Sequence, residues 1–162
     1  MKRLILKFGG TSVGNIDKIQ KVANLIKKKH DEGNEIIVVV SAISGFTDEL
    51  IKKSQLISKN FDLAEYDVLL SSGEQISSSL LAGALINLGM KARSWEGWQI
   101  PIITDENHTV SKIIKIRTEE ILSLISKKGI AVIAGFQGVS NKNRITTLGR
   151  GGSDLSAVAL AK

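Results

Sequence analysis

One arrangement occurs three times in this 162-residue chain: an amphipathic helical stretch, then a glycine, then a short apolar run. Ile16, Ile19, Val22, Ala23 and Ile26 share one face of a helical period, followed by Gly33 and the run 36–40. Ile76, Leu80, Leu81, Ala84, Leu85 and Leu88 share another, followed by Gly89 and a short strand near 91–94. Ile121, Leu122 and Ile125 share a third, followed by Gly129 and the run 130–134. Glycine just past a helix end supplies the left-handed backbone that closes it. Strands apolar at every position are buried on both faces. Helices alternating with such strands specify an α/β fold, a mostly parallel sheet sandwiched between helices. Residues 4–8 add an opening strand. Residues 98–104 add another, and Pro101 puts it at a sheet edge or a strand end. A helix is expected near 48–58 and a connecting loop over 60–65. The length fits one domain, residues 1–162.

Composition removes several classes of function. There is no cysteine, so disulfides and thiolate metal sites are excluded. The basic start Met1-Lys2-Arg3 is followed only by Leu4-Ile5-Leu6, too short for a signal segment. No apolar stretch approaches the roughly 20 residues that cross a bilayer. The expected location is cytoplasmic, with no membrane partner. The net charge is +6, but Lys27, Lys28 and Lys29, and Lys127 and Lys128, fall where helices end and complement the helix dipole. Only 4% of residues are aromatic, so a stacking platform for single-stranded nucleic acid is lacking. No nucleic-acid partner is expected. His30 and His108 read as surface residues without a metal role, and Trp95 and Trp98 as packing or interface residues.

In an open parallel sheet, ligands gather beyond the carboxyl ends of the strands, and the unusual residues fall there. Lys7-Phe8-Gly9-Gly10-Thr11-Ser12 runs from a strand through two glycines and two hydroxyls into a helix starting near Asn15. Glycines let the backbone approach an anion, and a helix start offers N–H donors. The Gly-Lys-Ser/Thr ending of the Walker A loop is absent. Ser41-Ala42-Ile43-Ser44-Gly45-Phe46-Thr47 follows the next strand, as a ligand loop or as a plain loop with a helix cap at Thr47. Ser72-Gly73-Glu74 puts a carboxylate at an expected helix start, where it either complements the dipole or holds an ammonium group. Gly135-Phe136-Gln137-Gly138 is a glycine turn or a ligand contact. Thr147-Leu148-Gly149-Arg150-Gly151-Gly152-Ser153-Asp154 surrounds one arginine with three glycines before a helix capped by Ser153 or Asp154. The planar guanidinium suits carboxylate or phosphate, and Asp154 can accept a hydrogen bond from Lys7.

These segments, in this order and spread over nearly the whole chain, resemble the aspartokinases of the amino-acid kinase family. The matching stretches are 7–13, 41–47, 72–77, 98–105, 135–138 and 146–154. The resemblance implies ATP-dependent phosphorylation of the side-chain carboxylate of L-aspartate, the entry step toward lysine, threonine and methionine. It implies ATP with Mg²⁺ as co-substrate and no tightly bound cofactor. Lys7 would stabilise the transferring phosphoryl group, along a path lined by Gly9, Gly10, Thr11 and Ser12, with Asp154 positioning Lys7. Glu74 would bind the aspartate ammonium, Arg150 a substrate carboxylate, and Ser41, Thr47 and Ser153 would complete the pocket.

The family's kinase domain continues past Asp154 into a nucleotide-binding half, usually followed by regulatory domains. The expectation is therefore an N-terminal, substrate-binding portion with weak activity or none on its own. The alternative is a non-catalytic binding or dimerisation module. Uncovered apolar surface beside Leu155, Val158 and Leu160 would favour homo-oligomers.

Overall fold

Three consecutive β-branched residues, Val38-Val39-Val40, mark the centre of the molecule, because stiff branched side chains pack best on a pleated surface covered on both sides. A computed structural model describes residues 2–162. Its elements are β1 (Arg3–Phe8), α1 (Ile16–Asp31), β2 (Glu35–Val40), α2 (Phe46–Ile57), α3 (Leu63–Asn87), β3 (Ala92–Trp95), β4 (Ile102–Thr104), β5 (Ile113–Ile116), α4 (Glu119–Ser126), β6 (Ile130–Ala134), β7 (Gln137–Ser140), β8 (Ile145–Thr147) and α5 (Gly152–Ala161).

The main sheet runs β1-β2-β6-β3, and every pairing in it is parallel. Alternate residues of the central strands divide the core. Ile36, Val38 and Val40 pack with Ile19, Val22, Ile26, Leu81 and Leu85 of α1 and α3. Ile37, Val39 and Ile133 pack on the other face with Ile121, Ile125, Trp95 and Leu160. Full burial of such side chains stabilises by about 1.5–3 kcal/mol each. The register aligns Phe8 with Val40 and Val40 with Ala134. The loops after β1, β2 and β6 therefore leave the sheet at one edge, and these are the loops that carry the unusual residues.

A second sheet, β5-β4-β7-β8, mixes parallel and antiparallel pairs. Residues 137–140 and 145–147, which overlap the stretches 135–138 and 146–154 read as turn or loop, form a hairpin in it. Their polar and glycine content hides the strand pattern, although all of β7 is buried. The strand expected over 98–104 is confined to β4, and Pro101 stands just before it, at the end of a turn.

Several local expectations change. The loop expected over 60–65 gives way at Leu63, because Asp62 caps α3 by accepting from the N–H groups of Ala64 (2.9 Å) and Glu65 (3.0 Å). Glu74 consequently lies in mid-helix, not at a helix start, so dipole complementation does not explain it. Ile76 and Leu80 are 37% and 38% exposed; α3 instead buries Ser77, Ser78, Leu81 and Ala82. The serine hydroxyls donate back to carbonyls one turn earlier, which lets a small, polar face pack closely. Gly33 and Gly89 adopt the left-handed backbone, but after α4 Lys128 does so and Gly129 does not. Gly129 is small for another reason: a Cβ there would lie 2.5 Å from Leu124 Cδ1.

The caps expected at Thr47 and at Ser153 or Asp154 are backbone caps at Gly45 and Gly151, both left-handed, with the hydroxyl and acidic residues inside the first turn. His30 is not a plain surface residue. Its Nε2 lies 3.1 Å from the Lys128 carbonyl, and its Nδ1 is buried without a hydrogen-bond partner, 3.8 Å from Asp31 Oδ1. Trp95 is core, whereas Trp98 is half exposed. No helix among the described residues is long and apolar enough to cross a membrane.

Candidate functional site

The aligned strand ends open into a cleft of about 630 Å³. β1 delivers Lys7, the loop after β2 delivers Ser41, and the first turn of α2 delivers Thr47 and Asp48. One face of α3 presents Tyr66, Leu70 and Glu74, positions that recur at helical spacing. The glycine-flanked Arg150 and the first turn of α5, with Ser153 and Asp154, form the opposite wall.

Lys7 Nζ lies 2.9 Å from Asp154 Oδ1. Residues at the two extremes of the chain are thus joined across the cleft, and the carboxylate holds the ammonium in one place. Arg150 is exposed and forms no ion pair among the described residues. A guanidinium left free beside a paired lysine gives the cleft the positive character that suits a doubly charged anion.

Glu74 is the cleft's buried charge, only 5% exposed. Its Oε1 accepts from the Ala42 N–H at 3.0 Å, while Oε2 is buried without a partner. Burial pushes its pKa up to about 7; the Ala42 hydrogen bond pulls the other way, and nearby Glu96 adds a small upward push. A buried carboxylate with one unsatisfied oxygen is costly, and an ammonium group would relieve that cost. Glu96 is itself raised by burial and takes a 3.3 Å hydrogen bond from Ser78.

Seven of the eleven expected site residues line this one cleft: Lys7, Ser41, Thr47, Glu74, Arg150, Ser153 and Asp154. Gly9, Gly10, Thr11 and Ser12 do not line it. Gly9 sits beside the Lys7 ammonium, since a Cβ there would be 3.6 Å from Nζ. Gly10 locks two strand-end loops together: a Cβ would lie 2.6 Å from the Ala42 carbonyl oxygen, and its own carbonyl accepts from the Ser44 N–H. Thr11 and Ser12 are exposed, and the Thr11 carbonyl accepts from Lys18 Nζ at 3.0 Å.

Sequence reasoning missed Tyr66 and Thr109, which also line the cleft, while Phe136 and Thr147, singled out only as parts of their segments, line it as well. Thr109 (φ 70°) and Phe136 (φ 71°) adopt a left-handed backbone that side-chain-bearing residues rarely take. It also missed a buried network behind the wall, where His108 is not at the surface but reaches Asp67.

The amino acid kinase family model matches residues 2–162 of the chain. The aspartokinase of Geobacillus stearothermophilus is 49% identical over 158 residues, covering 98% of this chain and 39% of that protein. The aspartokinase of Rickettsia conorii is 48% identical, covering 99% of this chain and 41% of its own length. The chain thus spans about two fifths of the curated relatives it matches. Among solved structures, aspartate kinase from Synechocystis superposes with a TM-score of 0.81 at 46% identity, over 97% of this chain and 26% of that one. Escherichia coli aspartokinase III, solved with aspartate and ADP, shares the fold with a TM-score of 0.82 at 22% identity, over 99% of this chain and 46% of that one.

Proposed function

The chain belongs to the amino acid kinase family, and we propose that its cleft is the amino-acid and phosphoryl end of an aspartate kinase site. The observation that carries this reading is the convergence of Lys7, Glu74 and the pair Arg150 and Asp154 on one cleft from three distant segments. In the reaction, a side-chain carboxylate oxygen of L-aspartate attacks the γ-phosphorus of ATP. The bond to the β-phosphate oxygen breaks, and ADP and 4-phospho-L-aspartate result.

The roles follow from charge. Glu74 holds the substrate ammonium through its unpartnered oxygen. Arg150 takes a substrate carboxylate, with Ser41, Thr47 and Ser153 completing the pocket. Lys7, held by Asp154, neutralises the charge on the moving phosphoryl group. Gly9, Gly10, Thr11 and Ser12 shape the approach. No general base is needed, because the attacking group is already a carboxylate near neutral pH. Phosphoryl transfer depends on positioning and charge neutralisation, and the cleft offers both. Lys7 faces the nucleotide's transferring phosphate, and ATP would be taken as its Mg²⁺ complex, the metal supplying further charge neutralisation.

The proposed domain assignment is a substrate-binding portion of the kinase domain over 1–162, working in the cytoplasm, with nucleotide contacts completed by the remainder of the family's kinase domain. Calorimetry with L-aspartate, and with ATP-Mg, tests the division directly. Aspartate binding with weak or absent turnover is expected. Absence of aspartate binding would sink the substrate assignment. In a kinase domain of full family length, Lys7→Ala should lower turnover by about 10²–10³; near-normal turnover would remove Lys7 from the mechanism.

A further inference from the structure

Asp67 is fully buried on α3 yet does not touch the cleft. Both of its oxygens are engaged. The Thr147 hydroxyl donates to Oδ1 at 2.6 Å, His108 Nδ1–H donates to Oδ2 at 2.7 Å, and the Thr109 N–H lies 3.1 Å from each. These donors come from the loop before β5 and from β8, segments otherwise joined by the Ser111 N–H to Thr147 carbonyl bond of 2.9 Å. Thr109 holds its left-handed backbone at this contact. Its carbonyl oxygen abuts Gly149, where a Cβ would lie 3.0 Å away. Gly149 leads directly into Arg150.

Asp67 and Glu74 lie seven residues apart on the same helix, which puts them on one face and roughly 10 Å apart along the axis. One carboxylate faces the cleft, and the other grips the wall that bears the arginine. We infer that Asp67 is a positioning residue: through Thr109 and Thr147 it fixes Arg150 relative to Glu74, and so sets the length of amino acid the cleft accepts. The length claim rests on the reading of Glu74 and Arg150 as ammonium and carboxylate contacts; the positioning claim does not.

Asp67→Asn tests both, because its amide would face at least one donor with a donor. In ¹⁵N-resolved spectra of the whole chain, the amides of Thr109, Gly149, Arg150 and Gly151 should shift and lose exchange protection. Those of Val38, Val39 and Val132 in the main sheet should keep theirs. His108→Ala, which removes one donor and leaves the carboxylate, should give a smaller displacement at the same amides and serves if the first variant fails to fold. Calorimetric Kd values for L-aspartate and L-glutamate provide the second readout. Asp67→Asn should weaken aspartate at least tenfold and narrow its preference over glutamate, whereas general loosening would weaken both alike. Unmoved amides in both variants would overturn the positioning role. Moved amides with an unchanged aspartate-to-glutamate ratio would overturn the length claim. If the unaltered chain binds neither amino acid, the substrate assignment falls, and the amide readout alone decides whether Asp67 positions the wall.

Discussion

Glu74 ties the chemistry of one side chain to both stability and binding. Burial raises its pKa from 4.5 to about 7, so the folded chain keeps a proton there that the unfolded chain releases. The stability linked to that proton is fully present below pH 4.5 and is lost as pH rises through about 7. By pH 8 the loss is of order 1–3 kcal/mol. Glu74→Gln should therefore be more stable than the unaltered chain at pH 8, with a flatter profile between pH 5 and 8 in thermal unfolding. Aspartate affinity should move the opposite way and tighten as pH passes upward through 7, since only the ionised carboxylate pairs with an ammonium. Parallel unfolding profiles for the two proteins would show that the buried carboxyl is not the group titrating. The sequence made this residue visible as a charge among small residues, but gave no sign that the loop after β2 would bury it and satisfy only one of its oxygens.

At the scale of elements, α3 packs through small residues, and two of its glycines separate packing from propensity. A Cβ at Gly73 would lie 2.7 Å from Ala42 Cβ, whereas a Cβ at Gly83 meets nothing within 4 Å. Gly73→Ala should destabilise by about 1–3 kcal/mol through overpacking and strain the Ala42–Glu74 hydrogen bond. Gly83→Ala should stabilise by up to about 1 kcal/mol through helix propensity alone. Denaturant melts of the two variants check this; equal effects would mean the helix is not seated on the Ala42 loop as described. The three helix–glycine–strand units were readable in the sequence because their apolar spacing is regular. The outer turns of α3 and the hairpin β7–β8 were not, because serine, threonine and glycine supply their buried faces and carry no hydrophobic period. Asp67 and His108 escaped notice for a related reason: each is unremarkable alone, and only the approach of the loop before β5 to α3 makes them partners.

At the scale of the molecule, an apolar groove of about 1110 Å³ runs between α5 and the sheets, lined by Ile5, Ile37, Ile113, Ile116, Leu122 and Leu155 among others. Leu155 and Val158 are 51% and 57% exposed, as expected from the sequence, whereas Leu160 is buried beneath them. Such a surface promotes association. The chain should self-associate at tens of micromolar in light scattering, and Leu155→Ser with Val158→Ser should shift it toward monomer; a monodisperse monomer at all concentrations would count against this. The site itself has a long reach in the chain. The ion pair between Lys7 and Asp154 joins residues separated by nearly the whole sequence. At a synthesis rate of about 5–20 residues per second, the lysine emerges roughly 7–30 s before its partner. A nascent chain can thus lay down β1 and β2 early, yet it acquires a charge-balanced cleft only once α5 has emerged, so arrest of translation before α5 would leave a sheet with an unguarded cation at its mouth.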